Sequence, residues 1–278
     1  MIRSDCHMHT EFSTDSEAPV RAMADAALAK GLTEICITDH YDKDYPPVPD
    51  VEGTAFLFEP EEYFQTLSEV RNEYAGRIDV RTGIEIGLQP HLGEFYRDFI
   101  RKHPFDFVIG STHTPRGKKD PYFTDFSQVE NPYLVLDAYF AEELELAREA
   151  DFDTLAHLTY PLRYIVGDYG IPIDVSRYAG AIDEIFRTLV RREKALEVNT
   201  SGLRQKIGCL LPERDMLLRY RELGGRLVTL GSDAHKSADV GKGLEEGGAA
   251  LRECGFTHYA VYRQRRPTLY PLAGASSL

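Results

Sequence analysis

In the segment DCHMH, histidine recurs at every second position, so the run carries Asp5, His7 and His9. Alternate side chains of an extended chain point to the same face. Two imidazoles side by side on that face can hold one divalent metal ion. The same residue types return along the chain. ITDH brings Thr38, Asp39 and His40, and GIEIG brings Glu85. GSTH brings Ser111, Thr112 and His113, and LAHL brings His157. EVN brings Glu197 and Asn199, and GSDAH brings Ser232, Asp233 and His235. A single histidine would read as an ordinary packed or surface residue, and His91, His103 and His258 do, because they fall in helical or peripheral stretches. Here six of the nine histidines fall in these short segments, and that recurrence points to metal binding rather than chance placement.

Each of these segments closes a short β-rich run. The runs are expected over 2–7, 34–38, 80–86, 105–111, 154–158, 195–199, 226–232 and 258–263. Amphipathic stretches with helical spacing separate them, over about 19–30, 61–75, 92–102, 132–150, 175–192, 212–223 and 240–254. Pro19 opens the first helix and Gly31 is its expected residue past the C-terminus. DYPPVPDVEG reads as a loop, and AGASSL at the C-terminus as a frayed tail. Strand–helix alternation predicts a parallel sheet with helical crossovers. No linker, repeat or low-complexity tract divides the chain, so one closed β/α barrel over residues 1–278 is expected. In such barrels the site lies at the C-terminal ends of the strands, where the metal-ligating types fall.

The composition, 42% hydrophobic among 278 residues, suffices for a sizeable core and excludes a disordered chain. The net charge of -13 argues against nucleic-acid backbone binding, which needs basic surface; RQRRP is too short to supply it. No apolar run approaches a membrane span, and no secretory h-region follows the first Met. Cys6, Cys36, Cys209 and Cys254 are widely spaced, as expected of free thiols in the reducing cytoplasm.

The ordered set DCHMHTEFSTDS, ITDH, GIEIG, GSTH, AHLTY, EVNTSG and GSDAH resembles the successive motifs of the PHP (polymerase and histidinol phosphatase) superfamily. The resemblance covers essentially the whole chain. The stand-alone length, the segment between His40 and Glu85, and SGLR after Asn199 look most like its histidinol-phosphate phosphatases. It implies a distorted (β/α)7 barrel with up to three divalent metal ions. One metal would take His7, His9, Glu85 and Asp233. A second would share Glu85 and add His113 and His157. The third would use His40, His235 and the residue at position 15. Many relatives carry His there and this chain carries Asp15, a harder ligand that favours iron or manganese over zinc.

That centre suits phosphate monoesters, whose slow uncatalysed hydrolysis demands large electrostatic stabilisation. Three divalent ions against the carboxylates of Asp15, Glu85 and Asp233 would leave a positive pocket in an acidic protein. Glu85, Asp233 and His235 are the expected catalytic residues, with either His235 or a metal-bound water protonating the leaving group. Arg163 and Arg204 are the expected phosphate anchors, Arg116 is a poorer candidate, and Asn199 and Ser201 are expected to line the pocket. Asp5 is expected either to orient a ligand imidazole or to form a buried salt bridge. The expected reaction is hydrolysis of L-histidinol phosphate in histidine biosynthesis, on a small phosphorylated substrate with no nucleic-acid or membrane partner. The alternatives are another small phosphate ester or nucleotide, and a non-catalytic metal-binding or polymerase-associated module. Competent residues at all nine ligand positions disfavour the last.

Overall fold

The structure is a computed structural model and describes residues 1–47, 56–116 and 118–272. Part of the DYPPVPDVEG loop and the whole AGASSL tail lie outside the described residues. The element order is β1 (Ser4–Asp5), α1 (Val20–Ala29), β2 (Glu34–Ile37), β3 (His40–Tyr41), α2 (Pro60–Glu73), β4 (Asp79–Gly87) and α3 (Gly93–Lys102). Then follow β5 (Phe107–Ser111), α4 (Tyr133–Glu149), β6 (Thr154–Leu155), the single turn α5 (Tyr160–Leu162), α6 (Ala179–Arg191) and β7 (Ala195–Asn199). The chain ends with α7 (Arg214–Glu222), β8 (Val228–Gly231), α8 (Leu244–Glu253), β9 (His258–Arg263) and β10 (Arg266–Pro271).

Seven strands pair in the order β1-β2-β4-β5-β6-β7-β8, every pair parallel, with β3 added on β4. Strands β2, β5, β7 and β8 are buried at every residue, as their near-continuous apolar runs require when both faces are covered. Beyond Asp5 the chain leaves the ladder with β2 and joins the end of β8. Cys6 N donates to Leu230 O at 3.0 Å, Asp233 N to His7 O at 2.8 Å and His9 N to Ala234 O at 2.8 Å. These bonds bring the first and last strands together, and the result is a distorted (β/α)7 barrel. Helix α1 buries Val20, Met23, Ala24 and Ala27 at helical spacing, and Gly31 follows it at φ +76°.

Three expected helices start later than their apolar spacing suggests. The first turn expected at 175 is a 3-10 turn, Val175–Tyr178, capped by the Asp174 carboxylate. The turn expected at 240 is broken by Gly241 and Gly243, both at positive φ. The helix expected from 212 begins at Arg214. The eighth β-rich run, 258–263, is not a barrel strand. It forms an antiparallel hairpin with β10 across Gln264 and Arg265, both at positive φ as a type I′ turn requires. This hairpin packs at the N-terminal ends of the strands. Tyr262 stacks on Phe107 with ring centroids 5.0 Å apart, Ser4 Oγ donates to Tyr259 Oη, and Arg265 forks onto Asp151 at 2.7 and 2.9 Å. The opposite, C-terminal mouth is left to the histidines. No helix among the described residues is long and apolar enough to cross a membrane.

Candidate metal centre

Glu85, near the end of β4, stands at the middle of the mouth and is 1% exposed. Its two carboxylate oxygens face different sets of imidazoles. Oε2 lies 3.2 Å from His7 Nε2, 3.4 Å from His9 Nε2 and 3.0 Å from His40 Nδ1. Oε1 lies 2.9 Å from His157 Nε2 and 3.3 Å from His113 Nε2, and accepts a hydrogen bond from Ser111 Oγ. His7 and His9 reach this point because the end of the β1 segment is held between Thr38 on one side and Ala234 on the other. Asp233 Oδ1 stands 3.4 Å from His9 Nε2 and 3.8 Å from His7 Nε2. On the open side, Asp15 Oδ2 lies 3.2 Å from His235 Nε2 and 3.6 Å from His40 Nε2.

All nine residues expected as ligands therefore converge. Ligand atoms of His7–His9–Glu85, of Glu85–His113–His157 and of His9–His40–His235 each fall within 4.8 Å of one another. The donor set fits divalent cations on a further ground. Glu85 Oε2 is buried and has no hydrogen-bond partner, although three imidazole nitrogens surround it. Burial disfavours charge on every group here, yet the carboxylates drive His7, His40 and His113 up, His113 to about 10. Burial pushes the Glu85 carboxyl upward, but His7, His40 and His113 hold it well below the usual range. The cluster is one that demands positive charge at its centre.

Two further carboxylates, outside the nine expected ligands, pair with the second ring nitrogens of these imidazoles. Asp42 Oδ2 is 2.6 Å from His113 Nδ1, and Glu197 Oε1 is 2.6 Å from His7 Nδ1. Asp42 follows His40 by two residues at the end of β3, so the period-2 pattern that exposed His7 and His9 extends to it. Two glycines make room for these pairs. A Cβ on Gly87 would stand 2.3 Å from Asp42 Cγ, and one on Gly231 2.3 Å from His7 Cβ. Asp39 instead secures the first loop, accepting from Thr10 N, Thr10 Oγ1 and Ser13 Oγ.

Several expectations are corrected. Asp5 makes neither an imidazole contact nor a salt bridge among the described residues. Its carboxylate accepts the backbone N–H groups of His7, Ser232 and Gly241, which ties β1 to the loop after β8. Arg204 donates to the carbonyl oxygens of Ser232 and Asp233, at 2.7 Å each, and holds Asp233 at φ +53°. Asn199 and Ser201 donate to Asp233 Oδ2 and lie behind it rather than in the cavity wall. Arg116 pairs with Glu145 away from the cavity. Arg163 does line the cavity, with one Nη on Asp233 Oδ2 at 3.1 Å and on Ser201 Oγ at 2.8 Å. His91, His103 and His258 lie outside the cavity and bond to Asp44, Phe99 O and Thr257.

The cavity above the cluster measures about 250 Å³. Its far wall, to which no sequence motif points, is aromatic and acidic, made by Tyr45, Phe56, Asp120, Tyr122, Phe123, Tyr160 and Tyr164. Asp120 accepts from Tyr45 Oη at 2.6 Å and from Tyr160 Oη at 2.9 Å.

The PHP domain family matches residues 5–201. A probable histidinol-phosphatase of Clostridium acetobutylicum is 36% identical over 240 residues, covering 85% of this chain and 88% of its own. The histidinol-phosphatase of Lactococcus lactis is 30% identical over 269 residues, covering 94% and 95%. The crystal structure of the Lactococcus lactis histidinol phosphate phosphatase, complexed with zinc, L-histidinol and phosphate, superposes with a TM-score of 0.82 at 28% identity. That match covers 96% of this chain and 98% of that one.

Proposed function

The chain belongs to the PHP domain family, and from that premise we propose that it is a metal-dependent phosphomonoesterase hydrolysing L-histidinol phosphate to L-histidinol and phosphate. The observation that carries this reading is the position of Glu85, each of whose oxygens faces its own group of imidazoles on the floor of a small cavity. Divalent ions held by His7, His9, Asp15, His40, Glu85, His113, His157, Asp233 and His235 would supply Lewis acidity and a water of lowered pKa. The rest falls to the chain's own side chains.

Arg163, partly buried at the cavity wall, offers guanidinium donors to phosphate oxygens. Glu85 and Asp233 keep negative charge on the floor of the cavity, where it would retain the cations. His235, the more exposed imidazole on the open side, would serve there as a ligand with its Nδ1 donating to Asp233 O, so the proton for the leaving oxygen would come from water at the centre. The leaving alcohol of histidinol phosphate carries an ammonium group and an imidazole. The wall of tyrosines and phenylalanines around Asp120 suits such a cationic, aromatic group, since aromatic faces and a carboxylate both attract cations.

A cavity of about 250 Å³ takes a small ester and not a nucleic-acid strand. The four cysteines are unpaired, which fits a reducing cytoplasm, and the barrel with its closing hairpin acts as one domain. The test is turnover of metal-analysed protein on histidinol phosphate and a panel of other phosphate esters. Histidinol phosphate should give the highest kcat/KM, lost on chelation and restored by zinc, manganese or iron. A tenfold preference for another ester would move the substrate, and no turnover with any metal would refute the reading.

A further inference from the structure

Glu197 touches two ligand residues that come from different strands and serve different parts of the cluster. Its Oε1 lies 2.6 Å from His7 Nδ1, while Oε2 accepts the backbone N–H of His157 at 2.7 Å and Asn199 Nδ2 at 3.1 Å. Both ends of this side chain thus face hydrogen-bond donors. The carboxylate is 1% exposed, so water does not compete for it. Room for it exists because residue 231 is glycine, where a Cβ would stand 2.7 Å from Oε1 and 2.3 Å from His7 Cβ.

From this geometry we infer that Glu197 is a positioning residue that fixes which nitrogen of His7 binds metal. A carboxylate accepts at both oxygens and donates at neither. With His157 N–H on Oε2, Oε1 draws the proton of His7 onto Nδ1. The lone pair is thereby kept on Nε2, the nitrogen that faces His9 Nε2, Glu85 Oε2 and Asp233 Oδ1 at 3.1, 3.2 and 3.8 Å. Outer carboxylates of this kind orient a ligand imidazole and raise its basicity. The same group holds the His157 backbone, so the register between the His7 side and the His157 side of Glu85 depends on one side chain.

The inference rests on the metal-dependent reading, and it separates Glu197 from a residue that merely fills space. An amide matches the carboxylate in size but presents one acceptor and one donor. In Glu197→Gln, the NH2 must either face the donors His157 N–H and Asn199 Nδ2, or donate to His7 Nδ1 and send the imidazole proton to Nε2. A packing role predicts that Glu197→Gln is harmless and Glu197→Ala damaging; the positioning role predicts that Gln is at least as damaging as Ala.

The readout is zinc and manganese content after dialysis against a competing chelator, with circular dichroism confirming the fold. Metal affinity in Glu197→Gln should fall about 10–100-fold at the site containing His7. Wild-type affinity and a full metal complement in Glu197→Gln would overturn the inference. Should the variant not fold, 15N-histidine spectra of zinc-loaded wild-type protein decide the matter. A hydrogen-bonded proton on His7 Nδ1 supports the assignment, and one on Nε2 refutes it. Wild-type protein that takes up no metal would refute both this inference and the reading it rests on, whereas metal-replete Glu197→Gln refutes this inference alone.

Discussion

Replacing Glu85 by Gln tests the core of the proposed mechanism, because it removes charge while nearly preserving volume. The carboxylate has five imidazole nitrogens between 2.9 and 3.4 Å from its two oxygens. It is buried, so the interactions are poorly screened by solvent. Removing one partner from a buried, charge-compensated cluster costs about 3–5 kcal/mol. At about 1.4 kcal/mol per tenfold, that corresponds to roughly two to four orders of magnitude, divided between the ions that Glu85 would retain. Metal content should fall and kcat should drop at least about 100-fold. KM should change little, because Arg163 and the remaining ligands are untouched. The fold should survive, since Ser111 Oγ can still donate to the amide oxygen that replaces Oε1. The assay is phosphate release paired with metal analysis and circular dichroism on the same preparation. Near wild-type turnover with a full metal complement would remove Glu85 from the mechanism.

Arg163→Ala should lower kcat/KM for histidinol phosphate about 10–100-fold, the worth of a charged hydrogen bond, mainly through KM and without metal loss; an effect below twofold means the metals hold phosphate without it. Arg204→Ala, which frees the carbonyls of Ser232 and Asp233, should instead loosen metal retention, and a pure KM effect with full metal content would contradict its placement behind Asp233. Gly87→Ala pushes a methyl to within 2.3 Å of Asp42 Cγ and should cost about 1–3 kcal/mol of stability along with metal affinity, read by urea unfolding and chelator competition; an unperturbed variant would mean that the Asp42–His113 pair can shift freely. Glu143, fully buried beside Tyr139 and Thr112, has its carboxyl pushed by burial from 4.5 up to about 8. The folded chain therefore keeps a proton that the unfolded chain releases, so this residue's contribution is full below pH 4.5 and is lost as pH rises through about 8. Urea unfolding should show Glu143→Gln gaining on wild type between these pH values, by at most about 5 kcal/mol, and a pH-independent difference would refute this.

The convergence of the nine His, Asp and Glu residues is legible because a parallel barrel gathers the ends of its strands at one mouth, and a place there needs only a residue type and a strand end. His7 and His9 also declare their common face through period 2. The hairpin β9–β10 carries no local sequence signal for its turn. Its turn residues Gln264 and Arg265 lack the Asn-Gly chemistry of a type I′ turn, and Asp151, Asp153 and Asp106, all distant in sequence, hold Arg265 in place. The starts of α6 and α8 fall later than the apolar spacing implies because that spacing continues through the 3-10 turn at Val175–Tyr178 and through Gly241 and Gly243.

What the order of residues determined by itself is the alternation of strand and helix and the chemical kind of the centre, since both depend on short-range periodicity and side-chain type. The partners of each polar group depended on tertiary structure. Arg163 and Arg204 are alike in the sequence, each in a loop after a strand. Folding turns the first into the cavity and anchors the second on two carbonyls behind Asp233. Likewise Asp5 shares a predicted face with His7, yet the carboxylate that meets His7 Nδ1 comes from Glu197, 190 residues away. A side chain's hydrogen-bond partner is set by which strands the barrel places side by side, and that adjacency is a property of the closed sheet rather than of any one segment.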